Sequence, residues 1–486
     1  MNALSPPSTD ASPRADDTRE PAAPGGERRT ELLLIAFATG LVTLALVLVE
    51  AGQEHELTMQ IVYLGLAHLG LFGVAHLAVR RWTPYADPLI LPCVALLNGL
   101  GLVLIHRVDL ANAGTTYLDG STWDPAAPRQ VVWTALALVL FAVVLKFIPD
   151  HRPLARYAYT FGFAGLFLLA LPGVLPSSIS EVNGAKIWIR FGPLGSIQPG
   201  EFAKIALMIF FAAFLVSKKE LFTTAGRHVL GVDLPRGRDL GPLFAAVTVC
   251  LGIMIVQKDL GSSLLIFGIV LMLLYVATER GIWVGLGLTL FSAGAVVAWR
   301  FFPHVQIRVA NWTDPFADPN DTGYQMVQSM FSLSSGGLFG TGLGGGRPDL
   351  LPESNTDFIT AVIGEELGLV GLTATLLLYG LFAMRGLRGA LAVRDTFGKL
   401  LGGGLAFALC FQVFIVVGGV TKLIPATGIT APFLSKGGSS LLANYILVAL
   451  LLRISNAARS PQAPSRPRVQ QPAIADQATV MVQRPS

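Results

Sequence analysis

Apolar residues fall in long runs along most of the chain, near 32–49, 58–79, 88–106, 130–149, 155–174, 199–216, 240–258, 260–278, 281–299, 359–384, 400–421 and 440–455. Most approach the ~20 residues that cross a ~30 Å hydrocarbon core as a helix. Lipid offers the backbone no hydrogen-bond partner, and runs of this length satisfy it internally as helices rather than barrel strands. The pattern therefore predicts an all-α integral membrane protein, a polytopic helical bundle of about twelve transmembrane helices. The runs around 240–278 are the most broken, because Gln257, Lys258 and Asp259 interrupt them. Residues 1–30 and 457–486 carry Pro, Ser and charge without an apolar period. They cannot bury enough surface to offset ordering and are expected as disordered tails.

Composition narrows the class. Of 486 residues, 52% are hydrophobic and 14% charged, against roughly a quarter charged in soluble domains. A nucleic-acid-binding domain and an ordinary cytosolic enzyme are excluded. Cys93, Cys250 and Cys410 lie apart in apolar runs, so neither a disulfide framework nor a cysteine metal site is expected. Lys and Arg concentrate in alternate loops, at Arg80–Arg81, Lys146–Arg156, Lys218–Arg238, Arg280 and Arg385–Lys399, whereas the loop at 50–57 has glutamates alone. The positive-inside bias then places both tails in the cytoplasm and the longest internal loop, 300–358, outside.

That loop, read as structureless, is long enough to expect function from it. Asp314, Asp318 and Asp321 offer hard oxygen ligands to Mg²⁺ or Mn²⁺. Asx turns around Pro315 and Pro319 explain the same spacing and are preferred. Gln325 and Gln328 suit either sugar hydroxyls or a helix end. Asp357 stands where the loop meets an apolar run, and on residues alone a helix cap is its preferred reading. Glu365 and Glu366 fall about two turns inside that run, for structural pairing or substrate contact. Glu201 and Lys204, three residues apart in an apolar run, share one helix face. They form either a buried pair that fixes packing or a polar wall of a substrate cavity. Lys186, Arg190, Arg308, Arg347, Lys422 and Lys436 are cations on the outer side, against the general bias, and suit phosphates or lipid headgroups.

Five stretches in this order, NGAKIWIRFGPLGSIQPGEFAK (183–204), QKDLGSS (257–263), DPFADPNDTGYQMVQS (314–329), LPESNTDFITAVIGEELG (351–368) and PATGITAPFLSKGGSSLL (425–442), resemble the SEDS family, whose members include RodA, FtsW and a sporulation relative. The resemblance spans about residues 84–455. It implies a peptidoglycan glycosyltransferase that polymerises lipid II at the outer face of the cytoplasmic membrane beside a class B penicillin-binding protein. It also implies a ten-helix core at 84–456, preceded by an added helix pair at 31–83. Asp357 aligns with the family's catalytic aspartate and becomes the expected general base. Inversion at the anomeric carbon then expels undecaprenyl diphosphate, a leaving group that needs positive charge rather than a general acid. Arg190 and Lys436 are the expected diphosphate contacts, and Glu201, Lys204, Gln325, Gln328, Glu366 and Ser439 the expected substrate-contacting set. No resident cofactor or protein-held metal is implied, a divalent cation staying open. Many relatives have Tyr in place of Lys436. Thr427–Gly428 points to the RodA branch, in cell elongation, over the FtsW branch, in division. A lipid II flippase and a non-catalytic scaffold for the penicillin-binding protein are the competing functions.

Overall fold

The computed structural model describes residues 24–53, 59–115, 122–182, 184–192, 195–218, 227–229, 232–234 and 237–461. Each apolar run becomes helix: α1 (Pro24–Gly52), α2 (Met59–Trp82), α3 (Ile90–Ala111), α4 (Ala127–Phe147), α5 (Ala158–Val174), α6 (Pro199–Ser217), α7 (Gly237–Val256), α8 (Leu260–Thr278) and α9 (Ile282–Phe301). After these come α10 (Pro303–Thr313), α11 (Tyr324–Gly336), α12 (Ile359–Glu366), α13 (Gly368–Ala392), α14 (Thr396–Val420) and α15 (Gly438–Arg459). Ten of the described helices are long and apolar enough to cross a membrane, and the apolar stretches of α5 and α7 are shorter, at Ala158–Val174 and Gly241–Val256. A bilayer accommodates such a mismatch by local thinning and by snorkelling of flanking residues. The chain is a multi-pass helical membrane protein.

α3, which carries Asn98, His106, Arg107 and Asp109, lies inside with 89% of its spanning window buried, while α9 buries only 6% and turns its leucines, valines and Trp299 outward. Apolar side chains there meet lipid at no cost. α3, α6, α14 and α15 form the interior; α4 packs along α15, α5 along α6, and α1 along α3 and α2. Alternation of direction brings the connections after α1, α3, α5, α7 and α9 to one end, with 302–367 and 421–437; this is called the site end. The expected tails fall mostly outside the described residues. Where described, 24–30 already belong to α1, because Arg28 is buried and bonds the Ala86 carbonyl and Glu31.

Two expectations are corrected. The segment 300–358 is not structureless: α10 and α11 occupy it, and Trp312 Nε1 and Ser329 Oγ pin them to the carbonyls of Lys422 and Val420 at 3.1 and 3.2 Å. The run 359–384 is not one span. It breaks at Gly368, whose φ of +67° is left-handed, a conformation cheap for glycine alone. The short α12 therefore stays at the site end, and α13 alone crosses. Between α5 and α6 the chain makes two antiparallel hairpins, β1 (Glu181–Val182) with β2 (Ala185–Lys186), and β3 (Ile189–Arg190) with β4 (Ser196–Ile197).

Candidate active site

Asp357 sits in the turn that feeds α12. The backbone around it is fixed from two directions: Thr356 N and Phe358 N donate to Glu353 O at 3.1 and 3.2 Å, and Lys436 N donates to Asn355 O at 2.8 Å. Ser435 Oγ adds a bond to Thr356 O at 2.6 Å. The carboxylate is left without a structural task. α12 starts at Ile359 with Phe358 at its N-cap and no side-chain cap bond, so the capping role expected from the residues is not taken up. Among the described residues no hydrogen bond reaches the Asp357 oxygens. Burial pushes its carboxyl up to about 6; Glu353 repels its charge and Arg308 attracts it.

Arg308 arrives from α10 and is held by Nη1 donating to Ala426 O at 3.0 Å. Burial lowers its proton affinity, against the pull of Asp259 and Asp357. Gly428 lies against both groups. Its φ is +74°, and a Cβ there would stand 3.5 Å from Asp357 Oδ2 and 3.6 Å from Arg308 Nη2. Bare backbone thus lies between the carboxylate and the guanidinium.

Behind Arg308 lies Asp259, whose Oδ1 caps α8 by accepting from Ser262 N at 2.9 Å. Burial raises its proton affinity and Glu201 adds to this, while Arg308 opposes it. Glu201 and Lys204 form a buried ion pair at 2.6 Å. Lys204 Nζ also donates to Gln412 Oε1 at 2.9 Å, and Gln412 Nε2 donates to Thr430 O at 2.9 Å. A polar chain thereby ties α6 through α14 to the loop that carries Gly428.

The remaining expected residues are dispersed. Ser439 is buried and its Oγ accepts from Gln198 N at 2.8 Å, joining α15 to the β3–β4 hairpin. Glu366 is fully buried against Arg107, Oε1 to Nε 2.7 Å; it sits at the end of α12 and not two turns into a span. Gln325 Nε2 reaches Pro352 O at 3.5 Å, and Gln328 is half-buried nearby on α11. Arg190 is exposed and bonds the Glu181 carbonyl. Lys436 is half-buried; burial and then Arg129 lower its proton affinity, Asp109 and Glu353 opposing. Asp314 Oδ1 accepts from Phe316 N at 3.2 Å, and Asp318 Oδ2 accepts from Thr322 N and Oγ1 at 3.2 and 3.0 Å. Both are turn carboxylates, and among the described residues no three His, Cys, Asp or Glu side chains converge to hold a metal. Of the six outer cations, Arg190 and Lys436 are the ones the sequence favours; the one beside the carboxylate is Arg308. Its sole signal in the chain is a positive charge on the side where the bias disfavours one.

The family described as "Cell cycle protein", FTSW_RODA_SPOVE, matches residues 87–460, which hold every residue of this site. The chain belongs to the FtsW/RodA/SpoVE family. Within that family it is 56% identical over 448 residues to the peptidoglycan glycosyltransferase RodA of Mycobacterium tuberculosis, covering 92% of this chain and 94% of that protein. To a probable peptidoglycan glycosyltransferase FtsW of Geobacter metallireducens it is 32% identical, covering 76% of this chain and 94% of the relative. It is a RodA-like member of the FtsW/RodA/SpoVE family rather than an FtsW-like one. Among solved structures, it resembles a chain of a peptidoglycan synthase complex in which polymerization and crosslinking are structurally coordinated. The TM-score there is 0.58 at 28% identity, covering 77% of this chain and 98% of the other.

Proposed function

We infer that this RodA-like membrane protein is a peptidoglycan glycosyltransferase that polymerises lipid II, with Asp357 as general base. One observation carries the reading: a carboxyl with no hydrogen-bonding duty, buried enough to hold its proton to about pH 6, stands across Gly428 from a guanidinium at one end of a membrane bundle. An acceptor sugar hydroxyl is a poor nucleophile at neutral pH, and a positioned base near that acidity removes its proton as the bond to the anomeric carbon forms. Attack from the face opposite the diphosphate inverts the α donor linkage to β and releases undecaprenyl diphosphate. Charge growing on that group is met by Arg308, with Lys436 and Arg190 engaging the diphosphate from the rim. Gln325 and Gln328 face the acceptor glycan. Glu201, Lys204, Glu366 and Ser439 act by fixing the elements that form the site. A Mg²⁺ or Mn²⁺ ion comes with the diphosphate rather than from a protein ligand set.

The site end faces the exterior, and both termini are cytoplasmic. Support comes from the opposite end, which gathers Arg80, Arg81, Lys146, Arg152, Arg156, Arg385 and Arg388. That end is also closed by side chains: Arg453 Nη1 donates to Trp82 O at 2.6 Å, and Arg385 pairs with Asp87 at 3.0 Å. Polar groups grouped at one end favour chemistry there over a flippase, which needs a polar route to both leaflets. A class B penicillin-binding protein is the partner, by analogy with the peptidoglycan synthase complex. The deciding experiment is polymerisation of lipid II by the purified chain. Asp357→Ala is expected to make no glycan while keeping its fold. Normal glycan from that variant would reject the base, and lipid II translocation without polymer would support the flippase.

A further inference from the structure

The helix pair α1–α2 lies before the matched family segment, which begins at residue 87. Specific polar contacts hold α1 against α2 and α3. Arg28, Glu31, Thr39 and Glu50 are the buried polar residues of α1, and the last three each meet a histidine. Glu31 Oε1 lies 2.7 Å from His76 Nδ1 on α2, and Thr39 Oγ1 lies 3.0 Å from His68 Nδ1 on the same helix. Glu50 Oε1 lies 3.0 Å from His106 Nε2 on α3. Rotating or sliding α1 would strand these groups in an apolar interior, where an unpaired polar atom costs several kcal/mol in the hydrocarbon limit. The helix is therefore fixed in depth and rotation.

What it holds at its end is the loop leading to Asp357. Gly52 packs backbone to backbone on Leu343 and Gly344, and a Cβ at Gly52 would collide with the Leu343 carbonyl oxygen. Gln53 Nε2 donates to Gly344 O. The same carbonyl accepts from Arg107 Nη2 at 3.2 Å, and Arg107 also bonds Gly346 O at 2.7 Å and Glu366 Oε1 at 2.7 Å. Gly344 N returns a bond to Glu366 Oε2 at 3.2 Å, and Arg347 N one to Glu365 Oε1 at 2.8 Å. Thr341 N and Gly342 N close on the carbonyls of Glu365 and Glu366 at 2.9 and 3.0 Å. The loop is thus wrapped round the last turn of α12, and α12 is 8 residues long, about 12 Å at 1.5 Å per residue. Asp357 stands at its other end.

We propose that the end of α1, through Gly52 and Gln53, is a positioning element for the reaction: it braces the 341–347 loop, which sets the tilt of α12 and so the place of the Asp357 carboxylate. The proposal rests on Asp357 being the base. Gly52 and Gln53 touch no reacting atom; they are positioning residues, and their loss acts on turnover and on the acidity of Asp357 rather than on substrate capture.

The test is lipid II polymerisation by the purified full chain across pH 5–9, with kcat and KM separated and thermal unfolding in the same detergent. Gln53→Ala removes one hydrogen bond and leaves the buried core untouched. Its kcat is expected to fall about threefold to tenfold with KM within twofold, as misplacement of a reacting group by a fraction of an ångström does. The acidic limb of kcat should move to lower pH as water gains access to the carboxyl. Gly52→Val should lose more, while Gly40→Val, on the same helix where nothing lies within 4 Å of an added Cβ, should match the parent. A Gln53→Ala profile superimposable on the parent's overturns the proposal, even where Gly52→Val fails to fold. If Asp357→Ala polymerises normally, the base assignment has failed instead, and the two failures are told apart by that single control.

Discussion

Asp357→Asn should separate activity from stability in opposite directions. In the folded chain burial moves the carboxyl from 3.8 to about 6, a shift of about two units, or ~3 kcal/mol. The sign follows from the raised value. Folding favours the protonated form, so the parent is most stable below pH ~4, loses stability as pH rises to ~6, and carries the full ~3 kcal/mol penalty above that. An uncharged amide of the same shape does not bear this cost. Near pH 8 the Asn variant is expected to unfold later than the parent, by up to ~3 kcal/mol, a net figure in which the attraction to Arg308 is already counted. At pH 4.5 the difference should shrink to ~1 kcal/mol. Polymerisation should fall about 10²- to 10⁴-fold, the range supplied by a positioned base. The parent's own kcat should rise through an acidic limb centred near pH 6. Thermal unfolding in detergent at both pH values, beside initial rates of glycan formation, reads both effects. An Asn variant that is less stable at pH 8 would refute the buried-charge account, and one that polymerises within threefold of the parent would refute the base.

Arg308 lowers the proton affinity of Asp357, so Arg308→Ala should shift the acidic limb of kcat to higher pH as well as reducing its plateau; a pH–rate profile in the parent's place would remove Arg308 from the site. Gly428→Ala forces a side chain into a left-handed φ of +74°, at ~1–2 kcal/mol, and puts a methyl against both Asp357 and Arg308; kcat should drop with the fold retained, read by activity and thermal unfolding together. Arg107→Met leaves Glu366 buried without its partner and should cost ~3–5 kcal/mol, while Arg107→Met with Glu366→Leu should regain part of that loss in the same denaturation assay. Excess EDTA should lower the polymerisation rate, and added Mg²⁺ should restore it, with thermal stability unchanged throughout, as expected for an ion that travels with the diphosphate.

Much of this architecture is written in one-dimensional pattern. Every apolar run became helix because lipid leaves the backbone no other solution, and Asp357 could be chosen because five ordered motifs resemble a family. What escaped is what depends on contacts between distant stretches. Glu366 and Arg107 are 259 residues apart, so nothing near Glu366 shows that it will be sealed in an ion pair. The break at Gly368 hides in an apolar run, because hydropathy does not register one left-handed residue. Arg308 looks in sequence like any other cation of a long segment until α10 folds and turns it toward Gly428. The histidines show no ligand spacing and yet are not idle, since His68, His76 and His106 each answer a polar residue of α1.

That arrangement bears on how the protein is made. A ribosome-bound chain releases α1 toward the membrane before any histidine that matches it exists. Glutamate side chains are disfavoured in a lone inserted segment, most strongly near its middle. Both partners of Glu31 and Glu50 arrive with the next two helices, by residue 106. The first three helices should therefore partition from the insertion machinery together, as a unit able to hold its own charges before the rest of the polypeptide has been synthesised.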